Sequence, residues 1–315
     1  MGRHAGFRPS PAGVGSVLFI GAIAAMAHLG GAGLLMFPEL GALSNDIFKR
    51  PGGTWARAPA MLLLTPLLTA VAGLLIARHM SFGLAAVLLD VGASVTLIHL
   101  MRSPIAPAIS AGLLPLVLGV HSWWYPPAIT FGTAALAVLS VIRRRIEPPV
   151  APSTARDVVD DTMECTPSAP GWLPPFMIVV ALLAGLAQAT GLRFILFPPL
   201  VVIAFEMFAH PQVCPWAVRA WRLPLACALG AAAGVAAVGL FGAGAAAAMT
   251  AMAVGLLVLH RLDLHAPPVL AVGLLPLVMP HPGWPFVVAV ATGTSLCIVA
   301  FRLWQAVAAR WTTCR

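Results

Sequence analysis

The sequence predicts an all-α, polytopic transmembrane helical bundle made of two parallel tandem repeats, and three observations lead to it. The first is composition. Of 315 residues, 60% are hydrophobic and only 9% are charged, and the mean hydropathy is +0.95. A soluble domain of this size needs roughly a quarter of its residues charged to cover its outside. A water-soluble enzyme, a secreted disulfide scaffold and a disordered chain are therefore excluded, and the bilayer is the expected surrounding. The second is continuity: the apolar runs are long and rich in Ala, Leu and Val, without the short alternating strands of a membrane β-barrel. Gly (29) and Pro (29) fall inside these runs; membrane helices tolerate both, because Gly lets backbones approach and neighbours satisfy the carbonyls that Pro frees.

The third is an internal repeat. Met36-Phe37-Pro38-Glu39-Leu40 recurs as Leu196-Phe197-Pro198-Pro199-Leu200, an offset of 160, which also places His28 on Gln188, Asp46 on Glu206 and Pro51 on Pro211. Further on, Gly112-Leu113-Leu114-Pro115-Leu116 recurs as Gly273-Leu274-Leu275-Pro276-Leu277 at an offset of 161, with Trp123 on Trp284 and Gly132-Thr133 on Gly293-Thr294. Pro, Trp and Phe carry the match, whereas coincidence in such a chain would favour Ala and Leu. The repeats are 1–146 and 174–315. Between them 147–173 is polar, proline-bearing and holds five of the ten acidic residues, which reads as a linker.

Each half contains about six apolar segments: 14–29, 31–43, 58–77, 82–100, 104–118 and 124–142, then 175–191, 194–208, 223–241, 245–260, 266–279 and 284–301. A full span takes about 20 residues. The second and fifth segments of each half are short and proline-bearing, so they either cross or re-enter. Charge chooses between these. With six crossings per half, 16 of the 18 basic residues lie on the side of the termini and linker, leaving Arg78 and Arg193 opposite; with four crossings the split is 10 to 8. The excess of Lys and Arg on cytoplasmic loops favours twelve segments with both termini cytoplasmic in the inner membrane, and accounts for the net charge of +8 without nucleic acid. An even number per half makes the repeats parallel. The opening segment looks like a signal peptide, but its counterpart is mid-chain, so it is expected to be retained.

The chemistry concentrates at chain breaks. In His265-Ala266-Pro267-Pro268, following Arg261 and Asp263, the prolines end one helix and suit the first turn of another. A helix of roughly 14 residues spans about 21 Å, short of the hydrocarbon core. Its N–H groups would be recessed in the membrane, where they suit an anion. His265 either lends such a site a proton or hydrogen bond or caps a surface loop. The second break is at Phe197-Pro198-Pro199, matched by Phe37-Pro38-Glu39. Paired interruptions at corresponding places point to a transport site; the alternative is a pair of packing kinks. Ionisable residues within apolar segments are Glu39, Asp90, His99, Glu206 and His260. Asp90 is mid-segment, where a lone charge costs at least about 2.5–3.5 kcal/mol, and should face protein or water. Asp46 and Glu206 are read as solvated, or paired with Lys49 or Arg219. Trp123, Trp124, Tyr125 and Trp284 are read as interfacial anchors.

No phosphate loop, zinc-protease signature or nucleophile elbow occurs, so neither ATP hydrolysis nor another catalytic activity is expected. The five cysteines lack paired or metal-like spacing and read as apolar filler; no metal and no cofactor are expected.

The run Phe208-Ala209-His210-Pro211 followed by Pro215 and Arg219, then two apolar spans, then His265-Ala266-Pro267-Pro268 and Gly283-Trp284, is similar to the HPP family of integral membrane proteins. That family is named for a His-Pro-Pro motif, and plant and cyanobacterial members are linked to nitrite transport. The resemblance covers about 175–301. Here Ala266 separates the His from the prolines, and in the first half Pro104-Ile105-Ala106-Pro107 lacks the His. The resemblance implies a transporter or channel for a small solute, with an inorganic anion such as nitrite as the instance. The expected substrate-binding residues are His265, Pro267, Pro268, Arg219, Pro198 and Asp90. The rival is a non-transporting scaffold or assembly partner, packing through small-residue faces such as Gly230–Gly234 and Gly242–Ala248. The expected partners are the lipid bilayer and a small solute or anion; a homo-oligomer is compatible with either reading.

Overall fold

A computed structural model describes residues 10–31, 33–146, 155–165, 167 and 170–313. All regular structure among them is helical. The helices are α1 (Pro11–Leu29), α2 (Leu40–Lys49), α3 (Thr54–Arg57), α4 (Pro59–His79), α5 (Leu84–Met101), α6 (Ala108–Leu118) and α7 (Tyr125–Ile146). Next come α8 (Ala155–Met163), α9 (Leu173–Thr190), α10 (Pro198–Ala209), α11 (Pro215–Val218), α12 (Arg222–Phe241), α13 (Ala245–Arg261), α14 (Pro268–Leu274) and α15 (Trp284–Thr313). Seven of these, α1, α4, α5, α7, α9, α12 and α15, are long and apolar enough to cross a membrane; α13 is apolar at 17 residues.

The long helices form an outer ring and the short ones its filling. Leu18, Leu64, Leu89, Val138, Leu182, Leu229 and Val299 point outward from seven different long helices, an apolar coat that only lipid or another apolar surface suits. By contrast, α10 is buried from Pro198 to Phe208, α6 from Ala108 to Val117, and α14 throughout. Proline sets the length of these inner helices. Pro38 and Pro198 precede or open α2 and α10, and Pro51 and Pro211 force Arg50 and His210 out of helical geometry at their ends. α14 stops after seven residues and continues through Pro276 as a 3₁₀ turn, Leu275–Leu277, whereas α6 runs on through Pro115. The expected 14-residue helix is thus half that length. Likewise the segment expected at 31–43 is a 3₁₀ turn, Gly33–Leu35, followed by α2, which runs on to Lys49.

The same local devices occur in both halves. Only two non-glycine residues among those described have positive φ, Arg102 (49°) and Asp263 (45°), 161 positions apart. Each is the left-handed residue after a long helix: Ser103 N–H donates to Ile98 O, and Leu264 N–H to Leu259 O, both at 3.0 Å. This conformation costs an L-residue about 1–2 kcal/mol, and it turns the chain back inward as α6 or α14. These inner helices lie against α4 and α12. A Cβ on Gly73 would collide with the carbonyl of Gly112, and one on Gly234 with that of Gly273. The halves also interlock: α1 packs on α13 and α5 on α9, while α2 meets α14 and α10 meets α6.

Side-chain contacts define two ends of the bundle. At one, Arg143 donates to Phe48 O, Trp55 to Pro104 O, Arg222 to Leu262 O and Arg302 to Ala217 O. At the other, Arg78 donates to His121 O and stacks on Trp123, Arg193 stacks on Phe82, and the Gln188 side chain accepts from Leu84 N–H.

Gly73→Ala and Gly234→Ala should each lower stability by about 1–3 kcal/mol through overpacking. Gly239→Ala, with open space around it, should be neutral or stabilising. Thermal unfolding in detergent checks the contrast; equal midpoints for all three variants would refute the close helix approach.

Candidate functional site

At the first of these ends, lined by residues of both halves, is a cavity of about 30 Å³, room for a water molecule or two. Its walls pair residues that are 160 or 161 positions apart: Ala42 with Val202, Asp46 with Glu206, Trp55 with Trp216, and Pro107 with Pro268. Glu39, His265 and Pro267 complete the part contributed by the two halves. The starts of α6 and α14 thus both face one small space, brought there by the two left-handed turns.

The linker closes it. Helix α8 is amphipathic: Val159, Asp160, Met163 and Glu164 turn inward and Val158 and Thr162 outward, the i, i+3, i+4 spacing of one helical face. Asp160, Met163 and Glu164 line the cavity. The centre of this closure is Arg50, with 6% of its side chain exposed. Its Nε donates to Asp46 Oδ1 (2.7 Å) and lies 3.7 Å from Asp160 Oδ2; Nη1 donates to Asp161 Oδ1 (3.0 Å) and Nη2 to Glu164. Asp161 also accepts from the Thr54 amide and hydroxyl at 3.2 and 3.0 Å. His265 Nε2 is 2.8 Å from Asp160 Oδ1. His210, 160 positions after Arg50, is half-buried where the linker ends, and burial pushes its imidazole below its ordinary pKa.

Four carboxylates thus surround one guanidinium and one imidazole. Burial pushes the Glu164 carboxyl well above its ordinary pKa; the charges of Asp46 and Asp160 add to this, and Arg50 opposes it. Docked α8 therefore binds more protons at this carboxyl than free α8, so docking is strongest in acid and weakens as pH rises above the ordinary carboxylate range.

The structure brings some of the expected site residues together and separates others. His265, Pro267 and Pro268 line the cavity, and His265 is a partner of α8 and not a loop cap. Asp46 and Glu206, expected to be solvated or paired with Lys49 or Arg219, are buried in its wall, and Asp46 pairs with Arg50 instead. Arg219 lies outside the cavity: it is half-exposed and bound to Asp263, holding the left-handed turn from the surface. Pro198 is buried at the start of α10 but is not part of the wall. Asp90 is fully buried away from the cavity, beside Gly112. Tyr125 is no interfacial anchor: it is 1% exposed and donates to Ala111 O at 2.6 Å, while Trp123, Trp124 and Trp284 are exposed. Arg50 and α8 were missed, although a basic residue next to Asp46 and half the chain's acids in one linker were visible. Among the described residues, no cluster of His, Cys, Asp and Glu could hold a metal ion.

Compared with protein-family models, curated proteins and solved structures, the chain matches none.

Arg50→Ala would leave buried carboxylates uncompensated and should cost about 3–5 kcal/mol, whereas Arg57→Ala, at a half-exposed pair with Asp161, should cost under about 1 kcal/mol. Denaturation in detergent measures both. A dye on exposed Cys165, just past α8, should report loosening as pH rises; tightening would contradict the proton count.

Proposed function

We propose that this chain is a multi-pass inner-membrane transporter or channel for a small solute, built of two parallel tandem HPP-like repeats with both termini cytoplasmic. The recurrence of the left-handed turns, the glycine contacts and the cavity walls at the 160–161 offset supports the duplication. The concentration of Arg contacts at the linker end supports the orientation.

One observation carries the functional reading: the polar groups at the cavity mouth are already occupied by carboxylates. Asp160 sits on His265, and Asp161 and Glu164 on Arg50. These carboxylates belong to the linker and not to the bundle itself; with them withdrawn, Asp46 still holds Arg50 Nε, while Arg50 Nη1 and Nη2 and the His265 ring are left to bind a planar, bidentate oxyanion. A small inorganic oxyanion such as nitrite matches that chemistry, with α8 leaving to admit it. The substrate would then contact His265, Arg50 and the chain at Pro267 and Pro268. Of the two faces expected for the scaffold reading, Gly230–Gly234 is already packed against α14, while Gly242 has open space around it.

Nitrite and nitrate uptake into proteoliposomes tests the proposal. Uptake should exceed that of empty vesicles and rise when Asp160 and Asp161 are both changed to Asn. His265→Ala should lower it about tenfold, the worth of one charged hydrogen bond. No uptake by either the natural chain or the linker variant would sink the assignment.

A further inference from the structure

A second polar feature runs from the cavity into the apolar interior of the first half. Glu39 and Asp90 are 2% and 0% exposed, and all four carboxylate oxygens are buried without a hydrogen-bond partner. The hydroxyls of Ser94 and Ser110 are buried in the same condition. Three consecutive residues of α6 link these groups. Ser110 faces Glu39, whose side chain lines the cavity. Ala111 O accepts from the Tyr125 hydroxyl, which lies in the field of both carboxylates. Gly112 has no side chain, and Asp90 Oδ1 lies 3.1 Å from where its Cβ would be, with Ser94 alongside. The basic side chains whose contacts were described above sit at the two ends of the bundle.

The second half has none of this. At the corresponding positions it carries Pro199 for Glu39, Ala251 for Asp90, Gly255 for Ser94, Ala271 for Ser110 and Phe286 for Tyr125. The duplicated backbone therefore holds a polar string in only one copy, and packing alone does not require it, since the other copy packs without it. An ionised carboxylate at this depth costs at least about 2.5–3.5 kcal/mol without a compensating cation, and binding a proton removes that cost. Chains of buried acids with hydroxyls between them are how protons are passed within membranes.

Resting on the proposed transport reading, we propose that Glu39 and Asp90, bridged by Ser110, Tyr125 and Ser94, form a proton-carrying site that couples solute movement to the proton gradient. A monovalent oxyanion moving together with one proton carries no net charge, and nothing is oxidised or reduced. Glu39 is the member that meets the solute, because it alone of the string lines the cavity. The other titratable groups facing it across the cavity are Asp46, Glu206, Asp160, Glu164 and His265, and Tyr125 faces both acids from α7.

Two measurements on the full-length protein test this. In infrared spectra of the reconstituted protein, the carbonyl band of protonated carboxylic acid should be present, with one component lost in Glu39→Gln and another in Asp90→Asn. In proteoliposomes holding a pH dye, an imposed nitrite gradient should move protons with the natural chain and not with Glu39→Gln. Absence of the protonated-acid band from the natural chain would overturn the site, even if a variant fails to fold. Nitrite uptake that ignores the proton gradient, or follows sodium instead, would overturn the coupling while leaving transport standing. An acid band that responds to pH without uptake of nitrite or nitrate would keep the proton site and reject the transport reading.

Discussion

In hydrocarbon, every peptide N–H and C=O and every charged side chain must be satisfied by the chain itself, and the arrangement of this molecule follows from that. Continuous helices meet the requirement alone, so they form the outer ring and expose leucine and valine. Helices broken by proline cannot, because each break leaves unpaired backbone groups. The four broken elements, α2, α6, α10 and α14, are accordingly the most buried. The starts of α6 and α14 and the final turns of α2 and α10 converge, so polar backbone that must avoid lipid collects at one place. A polar cavity is the consequence of packing broken helices inside whole ones.

Charge follows the same logic at the mouth of this cavity. Asp46 comes with α2, and Arg50 lies at the end of that helix, where Pro51 has turned the backbone. A buried guanidinium needs more than one carboxylate for its donors. Asp46 takes Nε, and α8 supplies acids for the terminal nitrogens. The linker is therefore part of the core. Its Val159 and Met163 pack against the bundle while its acids meet Arg50 and His265. Under the transport reading this makes α8 a gate whose hold depends on protonation.

Much of the fold was legible in the sequence because it depends on local chemistry. Apolar runs longer than a bilayer's reach are helices, and Pro38, Pro51, Pro198, Pro211 and Pro267 mark breaks wherever they fall. The offset of 160–161 brought matching segments into view. What stayed hidden depends on which surfaces meet. α14 passes into a 3₁₀ turn at Pro276 while α6 runs on through Pro115, so proline within a helical run does not by itself say how the chain continues. Tyr125 looked like its neighbours Trp123 and Trp124, yet it turns inward, where Ala111 O accepts its hydroxyl. Asp46 and Glu206 lie near helix ends, so they read as solvated; the docking of a polar linker buries them. Arg219 seemed to belong to a pathway and instead clamps Asp263. The cavity itself was only half legible, since His265, Pro267 and Pro268 are marked by their motif but Trp55 and Trp216 are not.

A membrane-spanning ring requires its two ends to lie on opposite faces of the bilayer. Side-specific labelling with an impermeant maleimide tests that directly, comparing native Cys165, beyond α8, with a cysteine placed at Ser122, in the loop before α7, in a chain where Cys314 is serine. The account predicts reaction from opposite faces, Cys165 from the cytoplasmic one. Reaction of both sites from the same face would contradict it.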